Sequence, residues 1–311
     1  MRTGVPPALS IVVPVFDEEG NVGPLHAELT RVAAALGRPY EIVFVNDGSR
    51  DATLARLEAL AGDDPRLRIV DLDGNFGEAA ALSAGFAHAR GDVVVTLDGD
   101  GQNDPAAIPD LLAALDAGVD VVSGRRRARK ERFLTRVLPS RIANWLIVQA
   151  TGVPVYDCGC GLKAYRREVV RGAQLPRGMN RFLPAILGVA PERVREVAVT
   201  DRARGSGASH YGISRTFVVL RDLLSLPILC RRPPRSRALG HALGGAQAAL
   251  AVVCVAALLG ALGFPSDRAL AILVAGAAAL AALAGWAVRH NVTRWVAAQE
   301  AGVFRVRRVV E

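Results

Sequence analysis

The chain has little cysteine. Four residues in 311, with Cys158 and Cys160 one position apart and Cys254 inside an apolar run, do not form a disulfide framework. They point instead to a reducing, cytosolic setting, and two cysteines this close without partners make no zinc site. Aromatic residues are also sparse at 5%. The most basic segment, "SGRRRARKERFLTRVLPSR", interleaves only Phe133, which argues against a stacking platform for nucleic acid. The chain has no internal repeat and no low-complexity segment. Nor does it open on a secretory signal, because "MRTGVPPALSIVVPVF" runs into a strand pattern after too short an apolar stretch. Acidic residues fall short of basic ones, leaving a net charge of +8 that arginine supplies almost alone. An anionic membrane surface or a phosphorylated ligand remains as a partner.

Hydrophobic residues make up 51% of the chain, an unusual share beside 22% charged residues, so the composition must shift along its length. Between residues 242 and 264 the only strongly polar side chain is Gln247, and residues 269–288 contain no charge. Each run suffices to cross ~30 Å of hydrocarbon, which takes roughly 20 helical residues. Joined by "PSDR", they predict a transmembrane hairpin within 238–290 rather than a pair of buried core helices. Arg231, Arg232, Arg235 and Arg237 precede it, and Arg289, Arg294, Arg305, Arg307 and Arg308 follow it. The positive-inside rule then places residues 1–212 and a basic tail, 291–311, in the cytoplasm of a multi-pass inner-membrane protein. The small-residue stretch "GAAALAALAG" permits close helix packing and suggests a homo-oligomer. Within 213–237, Ile213, Phe217, Leu220 and Leu224 recur at helical spacing, which suits a helix at the membrane surface or one packed on the globular domain.

Residues 1–212 alternate strands and helices, so the expected fold is α/β with a mostly parallel sheet. Ligands bind such sheets beyond the carboxyl ends of the strands. Four successive strand ends are polar here: Asp17 with Glu18, Asp47 with Gly48 and Ser49, Asn75 with Gly77, and Asp98 with Asp100. Two carboxylates one residue apart on a sharp turn, with Gln102 and Asp104 nearby, form a hard-oxygen set that suits Mg²⁺ or Mn²⁺. An Asx-turn with Asp104 as a helix cap is the alternative for the same residues.

Eight motifs in order carry a resemblance over residues 9–225. They are "VVPVFDEEGNV", "FVNDGSRDAT", "NFGEAAALSAGF", "TLDGDGQNDP", "VSGRR", "DCGCGLKAYRREVV", "NRFLPA" and "RARGSGASHYG". The chain resembles family 2 of the inverting glycosyltransferases, and within it the polyprenyl-phosphate group that acts on dolichyl or undecaprenyl phosphate. That resemblance implies a glycosyltransferase-A, Rossmann-like catalytic domain. It further implies that Pro14, Phe16 and Glu18 border the donor nucleotide, that Asp47 bonds its base, and that Asp98, Asp100 and Gln102 hold the metal. Arg125, Arg136 and Ser140 would grip the acceptor phosphate, and Arg202, Arg204, Ser209 and Tyr211 would close over the diphosphate. Asp157 occupies the place of a catalytic base or, alternatively, orients an arginine or Lys163. A phosphomonoester is already largely ionised near neutral pH, its second pKa being about 6, so such an acceptor needs positioning more than deprotonation.

Several positions depart from the pattern: His210 replaces a usual lysine, Asn180 a frequent histidine and Gly74 a frequent arginine, and "QLPRGMNRF" lacks an acidic residue. The expected activity is metal-dependent, inverting transfer of a hexose-like sugar from a nucleotide diphosphate, uridine more than guanosine, to polyprenyl phosphate. A lipid or polysaccharide hydroxyl acceptor and a degenerate membrane scaffold are the two other readings.

Overall fold

The computed structural model describes residues 6–116, 118–126, 145, 147–149, 151–202, 214–231, 238–263 and 268–311. These fall into two compact units: residues 1–211 with 302–311, and residues 212–301.

In the first unit, strands β1 (Leu9–Val15), β2 (Tyr40–Asn46), β3 (Leu67–Leu72) and β4 (Val93–Thr96) alternate with helices α1 (Val22–Ala35), α2 (Thr53–Asp63) and α3 (Glu78–His88). After α4 (Ile108–Asp116) come β5 (Val121–Arg126), β6 (Lys163–Arg166) and β7 (Val194–Val199). All join one eight-stranded sheet in the order β7-β5-β6-β4-β1-β2-β3-β8, whose last member, β8 (Val306–Val310), comes from the C-terminal tail. β1 to β4 are parallel, β6 runs antiparallel between β4 and β5, and β8 runs antiparallel on the free edge of β3.

Alternation along β1 explains the layers. Ile11 and Val13 share a core with Leu25 and Leu29 of α1, Leu57 of α2 and Leu111 of α4. Val12 faces α3, where Gly85 leaves room for it; a Cβ there would collide with Val12 at 2.2 Å and press on Val45 at 3.3 Å. Residues Ala79–Phe86 of α3 are all buried, which is why this helix has no polar face.

The second unit contains α5 (Ser214–Arg231), α6 (Ala238–Gly263) and α7 (Arg268–Ala301). Cys254 meets Ala275, Gly244 abuts Arg289 and Gly240 abuts Thr293, so α6 and α7 form an antiparallel hairpin. Both are long and apolar enough to cross a membrane, over Ala238–Ala257 and Ala271–Ala301. Val252, Val255, Ile272, Leu273, Leu280 and Leu283 are exposed on them, as they would not be in a soluble core. In α5, Leu223, Leu226 and Leu229 are buried while Leu224 is exposed. Asn291 of α7 donates to Ser225 (2.8 Å) and Asp222 (3.2 Å) of α5, so buried polar groups on the two helices meet.

Candidate active site

The site begins where β1 and β4 part. Their ladder ends at Val12↔Thr96, whereas β1 and β2 stay paired to Val15↔Asn46. Pro14, which has no N–H to donate, lies just beyond the end of the β4 ladder, where none is required. From β1 the strand order runs out in both directions, which makes this crevice the topological switch point of the sheet.

Two loops are laced together on one side of the crevice. Asp17, at φ 53°, donates its N–H to Ser49 Oγ (3.0 Å) and accepts from Arg50 N (2.7 Å). Glu18 N donates to Thr53 Oγ1 (2.8 Å), and the Glu18 carboxylate accepts from Asn21. Phe16 remains an exposed ring on the rim. Asp47 is buried and accepts from the amides of Phe76 and Gly77, both at 2.8 Å. Burial raises its pKa, and those two amides oppose the shift. Asp47 therefore braces the "NFG" loop, whatever it also contributes to a base.

Below them lies the acidic turn. Asp98 N donates to Asn103 Oδ1 (3.0 Å), Gln102 N to Asp100 Oδ1 (3.0 Å), and Arg202 N to Gln102 O (2.8 Å). Asp104 caps the following helical turn by accepting from Ala106 N (2.9 Å), so the Asx-turn chemistry and the acidic cluster coexist. Asp98 keeps an edge toward solvent, yet protein crowds it enough that burial, then Glu78 and Asp100, push its pKa to about 8. Lys163 and Arg126 offset part of this. Two crowded carboxylates on one turn, whose mutual repulsion a cation would relieve, are hard oxygen donors of the kind that suits Mg²⁺ or Mn²⁺.

This has a testable consequence. A carboxylate raised from about 3.9 in the unfolded chain contributes stability fully below that value and loses it as pH rises through the folded value. The metal-free protein is therefore expected to melt lower at pH 9 than at pH 6. A cation must displace the Asp98 proton, so Mn²⁺ affinity measured by calorimetry is expected to rise at least about tenfold from pH 6 to pH 8. Asp98→Asn should flatten both profiles. A pH-independent Mn²⁺ affinity would put Asp98 outside any metal site.

On the far side, Arg126 grips Asp157 bidentately through Nε (2.7 Å) and Nη2 (2.8 Å), and its Nη1 reaches Asp201 (3.4 Å). Burial disfavours the Arg126 charge, but Asp157 outweighs it and holds the guanidinium above its ordinary pKa. Asp157 thus meets an arginine, the orienting alternative read from the sequence, whereas the buried Lys163 ammonium donates to the carbonyls of Cys158 and Cys160. Burial pushes the thiols of Cys158 and Cys160 up to about 12, so both are packing residues with no reactive thiolate. The Arg125 guanidinium stacks 5.8 Å from the Tyr156 ring. Arg202 bridges Glu28 (2.7 Å) and Asp104 (2.6 Å), tying the segment after β7 to the acidic turn. Asn180, one of the departures, donates to Glu78 (2.6 Å), a neighbour of Asp98.

Of the residues expected from the sequence, Pro14, Phe16, Glu18, Asp47, Asp98, Asp100, Gln102, Arg125, Asp157 and Arg202 are described. Arg136, Ser140, Arg204, Ser209 and Tyr211 lie outside the described residues, as does His210. Sequence reasoning missed Arg126, Asn103, Asp201 and Gly161. Only Arg126, in the middle of "GRRR", carried a sequence signal.

Residues 10–172, just over half of the chain, match the model of glycosyl transferase family 2. The chain belongs to this family. It is 44% identical over 258 residues to a dodecaprenyl-phosphate galacturonate synthase of Rhizobium johnstonii, covering 81% of this chain and 75% of that protein. It is 37% identical over 218 residues to an undecaprenyl-phosphate 4-deoxy-4-formamido-L-arabinose transferase of Shewanella sediminis, covering 70% of this chain and 66% of that one. Among solved structures, glucosyl-3-phosphoglycerate synthase of Mycobacterium tuberculosis, in complex with Mn²⁺, UDP and glucosyl-3-phosphoglycerate, superposes with a TM-score of 0.55 at 19% identity. That match covers 73% of this chain and 81% of the other, and it establishes the glycosyltransferase-A fold. The family and the named relatives make the chain a glycosyltransferase.

Proposed function

We propose that this family 2 enzyme is a membrane-bound inverting transferase that moves a sugar from a nucleotide diphosphate, UDP rather than GDP, onto a polyprenyl phosphate. The observation that carries the reading is the crowded Asp98–Asp100 turn at the switch point, in a chain whose relatives are named for dodecaprenyl- and undecaprenyl-phosphate substrates. A divalent ion held by Asp98, Asp100 and Gln102 would supply Lewis-acid stabilisation of the charge on the departing nucleoside diphosphate.

The protein's own residues do the rest. The laced loops of Asp17–Asn21 and Asp47–Thr53, with Pro14 and Phe16, receive the nucleotide. Arg125, with Arg136 and Ser140, holds the acceptor phosphate, and Arg202, with Arg204, Ser209 and Tyr211, encloses the diphosphate. The acceptor's ionised oxygen attacks the anomeric carbon opposite the leaving group, and no base is needed. The bidentate Arg126–Asp157 pair supports this assignment, because an Asp157 so engaged is poorly placed to take a proton from a hydroxyl acceptor.

The return of the tail supports anchoring by a hairpin. The chain leaves the catalytic unit after residue 211 and rejoins its sheet at β8, so any membrane crossings between those points must be even in number. Two apolar helices with exposed Leu, Ile and Val meet that condition. Arginines at both ends of the hairpin support a cytoplasmic catalytic unit.

The test is transfer of radiolabel from a panel of nucleotide sugars to undecaprenyl phosphate in detergent with Mg²⁺ or Mn²⁺. One donor should yield a metal-dependent glycolipid that an Asp98→Ala/Asp100→Ala enzyme does not make. Donor hydrolysis without lipid product would reject the acceptor. No nucleotide binding at all would reject the transferase reading and favour a scaffold.

A further inference from the structure

β8 does more than cover an edge. It pairs Ile69↔Val310, Val70↔Val309 and Asp71↔Arg308, and then the register breaks, with Leu72 opposite Val306. Arg307 is the extra residue of that bulge. Neighbours on a regular strand point to opposite faces, but a bulge re-aims one of them. Both arginines accordingly reach one carboxylate oxygen, Asp71 Oδ2, Arg307 through Nη1 at 3.3 Å and Arg308 through Nε at 3.7 Å.

Asp71 is fully buried. Its other oxygen accepts from Asn46 Nδ2 (2.8 Å), and Asn46 Oδ1 in turn accepts from Ser49 N (3.2 Å). Asn46 directly precedes Asp47, which clamps the "NFG" amides, and Ser49 is the residue that holds the Asp17 amide. A continuous line of polar contacts therefore runs from the last strand to the loops where the donor nucleotide is placed. The opposite end of β8 is fixed separately: Glu311 pairs with Arg68 (2.9 Å) and with Arg90.

We propose that Arg307 and Arg308 are positioning residues for the nucleotide donor, acting through Asp71 and Asn46 on the Asp47–Ser49 turn. The inference rests on the donor-site reading above. A buried carboxylate that loses its cations must find new partners or take up a proton, and either change alters its hold on Asn46. Because β8 follows both apolar helices in the chain, the donor loops reach their final geometry only after the hairpin is complete and the tail has returned.

The experiment compares the full-length wild type, Arg307→Gln/Arg308→Gln, Asp71→Asn and Glu311→Gln in detergent. It reads nucleotide-sugar Kd, the donor and acceptor KM, kcat, and amide hydrogen exchange of residues 46–53. The double arginine variant and Asp71→Asn are expected to weaken donor binding about tenfold and speed exchange at Ser49, with acceptor KM unchanged and kcat within twofold at saturating donor. Arg308→Lys, which keeps a cation opposite Asp71, should recover part of the donor affinity. Glu311→Gln, which loosens the other end of the strand, should leave donor binding as in the wild type.

Unchanged donor Kd and unchanged exchange in the arginine variant, with a wild type that binds donor, would overturn the inference alone. An equal loss in Glu311→Gln, or a fall in kcat that tracks the melting temperature, would also overturn it by showing only general docking of the strand. A wild type that binds no nucleotide sugar would overturn the donor-site reading together with it.

Discussion

Gly161→Ala is expected to lower sugar transfer by about a hundredfold or more while the melting temperature stays near the wild-type value. A methyl group at this position would overlap all three carboxylate atoms of Asp98. The Asp98 side chain is short, so it can escape only by swinging its oxygens away from Asp100 and the crevice. The backbone of β4 and β6 need not move, because the obstruction is a side-chain terminus and not a main-chain atom. Mn²⁺ binding should weaken in parallel with activity, and raising Mn²⁺ should restore part of the rate. Gly23→Ala is the matching control, since a methyl group there meets nothing within 4 Å and Gly23 lies in α1. It should leave activity unchanged and raise stability by up to about 1 kcal/mol, the helix-propensity gain of alanine over glycine. Full activity in Gly161→Ala would show that the position of Asp98 does not matter to transfer.

Asp157→Asn carries the second large effect, and it separates two roles for the same carboxylate. As a partner of Arg126, Asp157 leaves behind a poorly solvated guanidinium when its charge is removed. The side chains of the pair are 17% and 9% exposed, so the loss is expected below the range for fully buried pairs, about 2–3 kcal/mol. Transfer should fall at least about tenfold as Arg126, which also touches Asp201, loses its orientation. The acidic limb of the pH–rate profile should persist under the proposed mechanism, in which the acceptor phosphate is the nucleophile. Arg126→Gln should produce a similar defect, and the double variant should be less damaged than the sum of the two. A variant of undiminished stability that loses its acidic limb, with additive single effects, would instead make Asp157 a general base and favour a hydroxyl acceptor.

The acidic turn was legible in the sequence because its chemistry is local. Asp98, Asp100 and Asp104 each find a hydrogen-bond partner within a few residues along the chain, as such turns do wherever they occur. The order of strands and helices was legible for the same reason: alternating and helical periodicities are properties of short windows. The partner of Asp157 was not, since an arginine and Lys163 were both open to it. The choice fell to Arg126 because β5 delivers that residue to the loop preceding β6, across a separation of 31 positions. Gly161 gave no signal at all. Its meaning is a close approach to Asp98, and only the pairing of β4 with β6 creates that approach.

The sequence by itself determined an α/β domain, an acidic turn at the carboxyl ends of its strands, and two apolar helices downstream. All three follow from patterns in which each residue's neighbours along the chain are also its physical context. Tertiary structure decided what the basic tail does. Read alone, "VFRVRRVVE" is a short arginine-rich end like many others. Placed against β3, it becomes the eighth strand, and its bulge delivers Arg307 to an aspartate 236 positions earlier. The physical reason is that a strand's partner is the free edge it meets, and a free edge exists only after the rest of the sheet has formed.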